Sequence, residues 1–284
     1  MAKSRSGARY VRAGLNYNPG LLHGGRIMEL GLKGKVAAIT GATEGIGRAT
    51  ALMLAQEGAK IAICARRQEP LDKTAAEIGK TGADVLAVSA DMSKAADIER
   101  FMKAVIDRYG RIDILVNNAG TSARGKFLEI DDKTWGSDIE LKVFGAIRCT
   151  RFAVPHMKKN GGGRIVNITI SSAKQPGAES YPTSVSRAAG LALTKALSKE
   201  YAPDNIRVNT VCIGKIKSGQ HERRYTREGR SAEAYYKEVS GDIPLGRVGE
   251  AEEVANVITF LVSDASSYVT GTSVNLDGGI SGTL

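Results

Sequence analysis

The sequence predicts an α/β protein, a single Rossmann-type doubly wound parallel sheet of seven strands with helices on both faces. Two observations carry this. Short apolar runs alternate with helical patterns in a regular beat from residue 34 onwards, which calls for a parallel sheet covered on both sides. Between the first run and the first helix lies Thr40-Gly41-Ala42-Thr43-Glu44-Gly45-Ile46-Gly47. Glycines at that point let the backbone turn sharply and let a pyrophosphate approach the N–H groups that open the helix.

In chain order, Lys35–Ile39 reads as the first strand and Arg48–Ala55 as the start of the first helix. Lys60–Ala65, Val85–Val88 and Ile112–Asn117 are the next strands, separated by helices near 70–80 and 95–109. A long helical pattern runs from about 133 to 159 and ends at Gly161-Gly162-Gly163. Arg164–Thr169 is the fifth strand, 184–202 a second long helix and Ile206–Val211 the sixth strand. An irregular polar stretch, 214–247, reads as a substrate-side flap before a helix near 250–263 and the last strand, Ser273–Leu276. The domain spans 30–284, and 1–29 form a basic N-terminal extension, expected to be a mobile arm. Met28 would serve as a natural start, although the arginine-rich, acid-free character of the extension also resembles an organellar presequence.

A net charge of +10 raises the question of nucleic acid. The charge is uneven. Residues 1–27 hold five basic residues (Lys3, Arg5, Arg9, Arg12, Arg26) and no acid, and Lys215–Lys237 hold seven against three acids. Neither region carries the motif of a nucleic-acid reader, so no nucleic-acid partner is expected, and the second cluster is a candidate site for anionic ligands. No apolar run approaches ~18 residues, so no membrane partner is expected. Cys64, Cys149 and Cys212 are far apart in apolar segments and read as buried thiols of a cytoplasmic protein. Three histidines without ligand spacing give no metal site.

The cofactor reading rests on the end of the second strand, Cys64-Ala65-Arg66-Arg67. An acid there would bond an NAD ribose and repel a 2′-phosphate, whereas Arg66 and Arg67 would pair with that phosphate. NADP(H) is therefore favoured over NAD(H). A pair of solvated loop arginines is the plainer alternative.

With these motifs in place, residues 30–284 resemble the short-chain dehydrogenase/reductase family. Thr40-Gly41-x-x-x-Gly45-x-Gly47 matches its glycine motif, and Asn117-Asn118-Ala119-Gly120 its second signature. The stretch from Pro244-Leu245-Gly246-Arg247 through Tyr268-Val269-Thr270-Gly271 to Asp277-Gly278-Gly279 matches its ending. The resemblance implies cofactor contacts at Gly41, Thr43, Glu44, Gly45, Ile46, Gly47, Asp91, Met92, Asn118, Ala119 and Gly120. Further contacts are implied at Arg187, Gly214, Ile216 and Ser218. It also implies a homo-oligomer, dimer or tetramer, built on the two long helices and the last strand.

At the catalytic positions the chain departs from the family. Members use a tyrosine acid, a lysine four residues later, an orienting serine and an asparagine. The aligned positions hold Thr183, Arg187, Ile170 and Lys142, similar to a divergent β-ketoacyl reductase-like branch. Threonine has no accessible pKa, isoleucine cannot hydrogen-bond a carbonyl, and arginine titrates too high to exchange protons. Tyr181 and Ser171 are possible stand-ins. Lys142, crowded by Arg187, would have a lowered pKa and could act as acid or electrophile. The expected function is an NADP-dependent oxidoreductase of a small ketone or secondary alcohol, a β-ketoacyl thioester among the candidates, with a non-standard proton donor. The alternatives are a catalytically inactive cofactor-binding regulatory or structural subunit, and a non-redox lyase or isomerase on the same scaffold.

Overall fold

A computed structural model describes residues 29–283; the N-terminal extension lies outside the described residues but for Glu29. Seven strands form one parallel sheet: β1 (Val36–Thr40), β2 (Lys60–Ala65), β3 (Val85–Ser89), β4 (Ile114–Asn117), β5 (Gly163–Ile170), β6 (Ile206–Ile213) and β7 (Ser273–Leu276). Their spatial order is β3-β2-β1-β4-β5-β6-β7. The order reverses between β1 and β4, the switch point where open α/β sheets leave a crevice for ligands.

The strands are buried on both faces because alternate residues serve different cores. Along β1, Ala37 and Ile39 pack with Leu54 of α1 (Gly45–Gln56) and Ile258 and Leu261 of α9 (Ala251–Val262). Val36 and Ala38 pack on the opposite face with Phe101 and Met102 of α3 (Ala95–Tyr109) and Ala153 and Met157 of α5 (Gly145–Lys159). The remaining long helices are α2 (Gln68–Gly79) and α6 (Thr183–Glu200). Among the described residues no helix is long and apolar enough to cross a membrane.

Polar groups tie the layers together. Asn117 at the end of β4 donates to Asn167 Oδ1 on β5 at 2.8 Å, and Asn167 donates to Thr194 Oγ1 on α6 at 2.9 Å. On β6 the buried Arg207 guanidinium bonds the carbonyls of Leu261 (3.1 Å), Ser263 (2.7 Å) and Ser266 (2.7 Å) around the C-terminal end of α9. A cation is the favoured partner for those carbonyls, which have no intrahelical donor. At the other end of α9, Glu250 and Glu253 form a capping box.

Two expectations are corrected. The long helix near 133–159 is not continuous. It consists of α4 (Asp132–Ile139), a wide π-type turn at Glu140–Phe144, and α5. The turn carries Lys142, and its extra residue shifts the helical phase so that Lys142 is buried rather than solvated. The flap, read as irregular, contains α7 (Gly219–Arg227) and α8 (Ala232–Val239), with Gly229 at φ +64° between them.

Candidate active site

The candidate cofactor residues stand along one edge of the sheet, at the carboxyl ends of the strands. After β1, Gly41 (φ +69°) and Gly45 (φ +54°) adopt left-handed backbone that other residues rarely take. Space is equally tight. A Cβ at Gly41 would stand 2.9 Å from Ala119 Cα, and one at Gly47 would collide with the Gly41 carbonyl. No side chain among the described residues caps the start of α1, which leaves its first N–H groups open to a ligand.

Several side chains predicted as cofactor contacts are engaged with the protein itself. The Asn118 amide donates to the Thr40 and Gly41 carbonyls, both at 2.9 Å, while Asn118 N and Ala119 N donate to Thr40 Oγ1 at 3.0 Å. The Asn-Ala-Gly signature thus shapes the glycine loop from the β4 side. Asp91 accepts from Ser93 N and Ser93 Oγ at 3.0 and 2.8 Å, and Met92 is buried. The Thr43 carbonyl accepts from Thr74 Oγ1 at 3.3 Å, and Ile46 packs on the core. Gly214 follows β6, where a Cβ would stand 2.5 Å from the Asp277 Cβ. Ile216 is buried and pairs with Gly249 in a parallel bridge.

Arg66 and Arg67 are exposed at the end of β2. The structure adds an acid beside them. Glu44 lies 4.0 Å from Arg67 and is held in a fork by Arg223 of α7, at 2.9 and 2.7 Å. The Arg223 hydrogen bond is the main cause that holds the Glu44 carboxyl below its ordinary range. This pair fastens the flap over the glycine loop, and Ser218 stands 3.5 Å from where a Gly45 Cβ would be.

At the other end of the crevice stand the replaced catalytic positions. Lys142 is buried, with its side chain 1% exposed. It donates to Asp138 on α4 and, at 2.9 Å, to Thr183 Oγ1 at the start of α6. Thr183 Oγ1 donates to the Ala123 carbonyl at 2.7 Å and accepts from Ala123 N at 2.9 Å. A hydroxyl has one proton to give and two lone pairs to share, and here all three are used. Thr183 is a staple for Lys142 and the β4 loop, with nothing left for a substrate.

Arg187 donates to the Ile168 carbonyl at 2.5 Å and lies so close to Gly120 that a Cβ there would collide with it. Burial lowers the Arg187 pKa to about 10, against a raising influence from Asp138. Burial, followed by the Arg187 charge, brings Lys142 down to about 8, although Asp138 opposes the shift. Lys142, Arg187, Asn117 and Ala119 line one small internal cleft. Two polar atoms in this cleft, Arg187 Nε and Asn117 Oδ1, are buried without a protein partner among the described residues.

The stand-ins lie elsewhere. Tyr181 packs its ring against Phe127 (5.6 Å) and Trp135 (6.2 Å), and no hydrogen bond joins it to Lys142 among the described residues. Ser171 is buried and bonds Asp277; burial raises the Asp277 pKa, but bonds from Ser281, Ser171 and nearby backbone bring it net below its ordinary value. Ile170 ends β5. Sequence reasoning missed Asp138 and Ser186. Ser186 Oγ on α6 donates to Asp138 Oδ2 at 2.5 Å. The four-residue spacing of Asp138 and Lys142 was the available signal.

The basic flap also looks different in three dimensions. Arg224 pairs with Glu228, Arg230 with Glu238, Lys217 with Glu250, and Lys215 bonds the Val239 carbonyl. With Arg223 committed to Glu44, Arg227 and Lys237 are the two of the seven basic residues that lack a side-chain partner among the described residues.

A switch-point crevice with a glycine cradle, and a buried cation pair lining a cleft at its far end, define a Rossmann-type fold. Comparison with known proteins makes this specific. A family model described as enoyl-(acyl carrier protein) reductase matches residues 41–281. The chain belongs to the short-chain dehydrogenase/reductase family of NAD(P)-dependent oxidoreductases. It is 38% identical over 251 residues to the 3-oxoacyl-[acyl-carrier-protein] reductase FabG of Thermotoga maritima, covering 88% of this chain and 98% of that one. L-Sorbose reductase from Gluconobacter frateurii, solved with NADPH and L-sorbose, is 35% identical with a TM-score of 0.86, covering 90% of this chain and all of the other. A short-chain oxidoreductase from Pseudomonas aeruginosa PAO1, solved with NADPH and described as containing an atypical catalytic center, is 33% identical with a TM-score of 0.83. The match covers 88% of this chain and 98% of that one.

Proposed function

We propose that this protein is an NADP(H)-linked reductase of ketones, or dehydrogenase of the corresponding secondary alcohols, in which Lys142 handles the proton. The observation that carries this is the buried Lys142 ammonium in the cleft beside Arg187, with a pKa brought down to about 8. A group that titrates near working pH is what general acid–base chemistry requires.

The residues present fit a nicotinamide dinucleotide. The cradle has no room for Cβ atoms, the start of α1 is uncapped, and Arg187 Nε is an orphaned buried donor in the cleft. Arg66 and Arg67 would hold the 2′-phosphate, with Glu44 partly neutralised by Arg223. The bound nicotinamide supplies the hydride that reduces the carbonyl carbon. The protein's part is to deliver a proton to the oxygen. An ammonium has three N–H groups; two go to Asp138 and Thr183, and the third gives its proton to the developing alkoxide. In the oxidative direction the neutral amine takes the proton back. The ion pairing of the flap favours a small neutral carbonyl over a phosphate-bearing thioester, although relatives such as FabG keep a β-ketoacyl substrate in view.

The test is a fluorescence titration with NADPH and NADH, followed by NADPH oxidation against a panel of small ketones and acetoacetyl-CoA. Tighter binding of NADPH, weakened at least about tenfold by Arg66→Asp, is expected from the loss of a charge-assisted contact and the gain of a repulsive one. Lys142→Gln should keep NADPH affinity while losing roughly 100-fold or more in kcat. NADPH binding with no turnover of any carbonyl would overturn the reductase reading and leave a cofactor-binding subunit.

A further inference from the structure

We propose that Asp138, held by Ser186, is the positioning residue that keeps the Lys142 ammonium in place and sets the pH range over which it can give up a proton. The inference rests on the reading of Lys142 as proton donor, but its evidence is separate. Asp138 is buried, its side chain 2% exposed, at the end of α4 immediately before the π-type turn that carries Lys142. One carboxylate oxygen accepts from Lys142 and the other accepts from Ser186 Oγ at 2.5 Å. Ser186 lies on α6, one turn beyond Thr183 and next to Arg187. One carboxylate thus joins α4, the π-type turn and the helix that carries the other two polar residues of the replaced set.

A buried anion is expensive unless it is paired and hydrogen-bonded. Asp138 meets both conditions, yet it closes no helix end and bonds no backbone group among the described residues. Its two partners are both side chains of the proposed proton-handling cluster. The charged groups facing Lys142 are Asp138 from α4 and Arg187 from α6; Cys149 on α5 lines the same cleft as a thiol that burial pushes up to about 12 and keeps neutral. Burial and Arg187 drive the proton off Lys142, and among the described residues Asp138 is the only facing charge that holds it on. With Asp138 neutral, Lys142 would give up its proton at lower pH and could act as an acid over a narrower range. Ser186 Oγ lies closer to the carboxylate (2.5 Å) than to its other acceptor, the Thr183 carbonyl (3.1 Å), and its proton steadies the anion and aims it at Nζ.

The experiment follows the Lys142 15Nζ resonance through a pH titration in the full-length protein, assigned by its absence in Lys142→Gln. Asp138→Asn and Ser186→Ala are compared with wild type. The expected result is that Asp138→Asn lowers the midpoint by one pH unit or more, a tenfold or greater loss of proton affinity. Ser186→Ala should move it the same way by less. In parallel, the falling limb of kcat for ketone reduction should move to lower pH by the same amount, with KM little changed. A midpoint unmoved in Asp138→Asn overturns the proposal; should that variant fail to fold, an unmoved midpoint in Ser186→Ala does so. A midpoint that moves while the kcat profile stays put overturns Lys142 as donor, and with it Asp138's part in the reaction. That outcome keeps the two failures distinguishable.

Discussion

At the scale of single residues, the Asp138–Lys142 pair makes a stability prediction independent of any substrate. Removing one partner of a buried pair leaves the other charge uncompensated, which costs about 3–5 kcal/mol, whereas replacing both by apolar groups is often neutral. Lys142→Met should therefore lower the unfolding free energy by about that amount, and Asp138→Leu with Lys142→Met should recover most of it, both measured by urea denaturation at pH 7. The pH dependence has a definite sign. The folded-state pKa of Lys142, about 8, lies below its ordinary 10.5. Between those values the unfolded chain binds a proton that the folded chain has released, so stability rises with pH. Wild type should gain on Lys142→Met across that window, and a constant difference would contradict the burial of an ionisable lysine here. The glycine loop was legible in the sequence because a backbone constraint is written directly as glycine. The Asp138–Ser186 contact was not, because it exists only once α6 has folded back over the π-type turn.

At the scale of elements, the seven strands of the parallel sheet were legible to within two residues, since a strand buried on both faces is a plain apolar run; the short antiparallel pair Arg124–Gly125 and Tyr181–Pro182 was not. The alternation of Ile39 and Ala38 between opposite cores needs no longer-range information. The elements missed were those without that signal. α7, Gly219–Arg227, has no buried residue at all, so no buried apolar stripe marks it; ion pairs and the contacts of His221 and Tyr225 with Tyr235 and Tyr236 hold it in place. The π-type turn was invisible for a related reason, because a phase shift of one residue inside a long helical pattern leaves the overall period readable. Arg207 shows an element boundary governed by a distant residue. Its guanidinium bonds carbonyls at the end of α9, sharing them with the Ser266 hydroxyl and the Val269 amide. Arg207→Met keeps most of the volume but removes a charged donor from all three carbonyls, and a hydrogen bond to a charged group is worth about 1.5–3 kcal/mol. The expected outcome is a loss of about 3 kcal/mol or more in unfolding free energy, with hydrogen exchange rising first at Leu261–Ser266. Uniform loosening of the whole chain would instead mean that Arg207 acts on the sheet rather than on the helix end.

At the scale of the whole molecule, the sheet explains why residues as far apart as Gly41 and Gly214 meet along one crevice, but it leaves apolar side chains on the outside. Phe144 (43% exposed) and Val185 (44%) stand on the paired segments around the π-type turn and α6. Phe260 on α9 and the fully exposed Tyr268, just before β7, stand on another face. Phe144 and Val185 fall on the two long helical segments and Tyr268 beside the last strand, the segments on which the family resemblance leads us to expect self-association. A closed homo-oligomer with two-fold interfaces would bury both sets. Native mass spectrometry of the wild type should therefore show dimers or tetramers, with Phe144→Lys plus Val185→Glu breaking one interface and Phe260→Lys plus Tyr268→Glu the other. Only monomer in the wild type would end this expectation. The first pair carries a further consequence, since Phe144 lies in the same π-type turn as Lys142. If a neighbouring protomer braces that turn, losing the interface should lower kcat and shift the Lys142 titration, while the second pair should change assembly and leave both untouched.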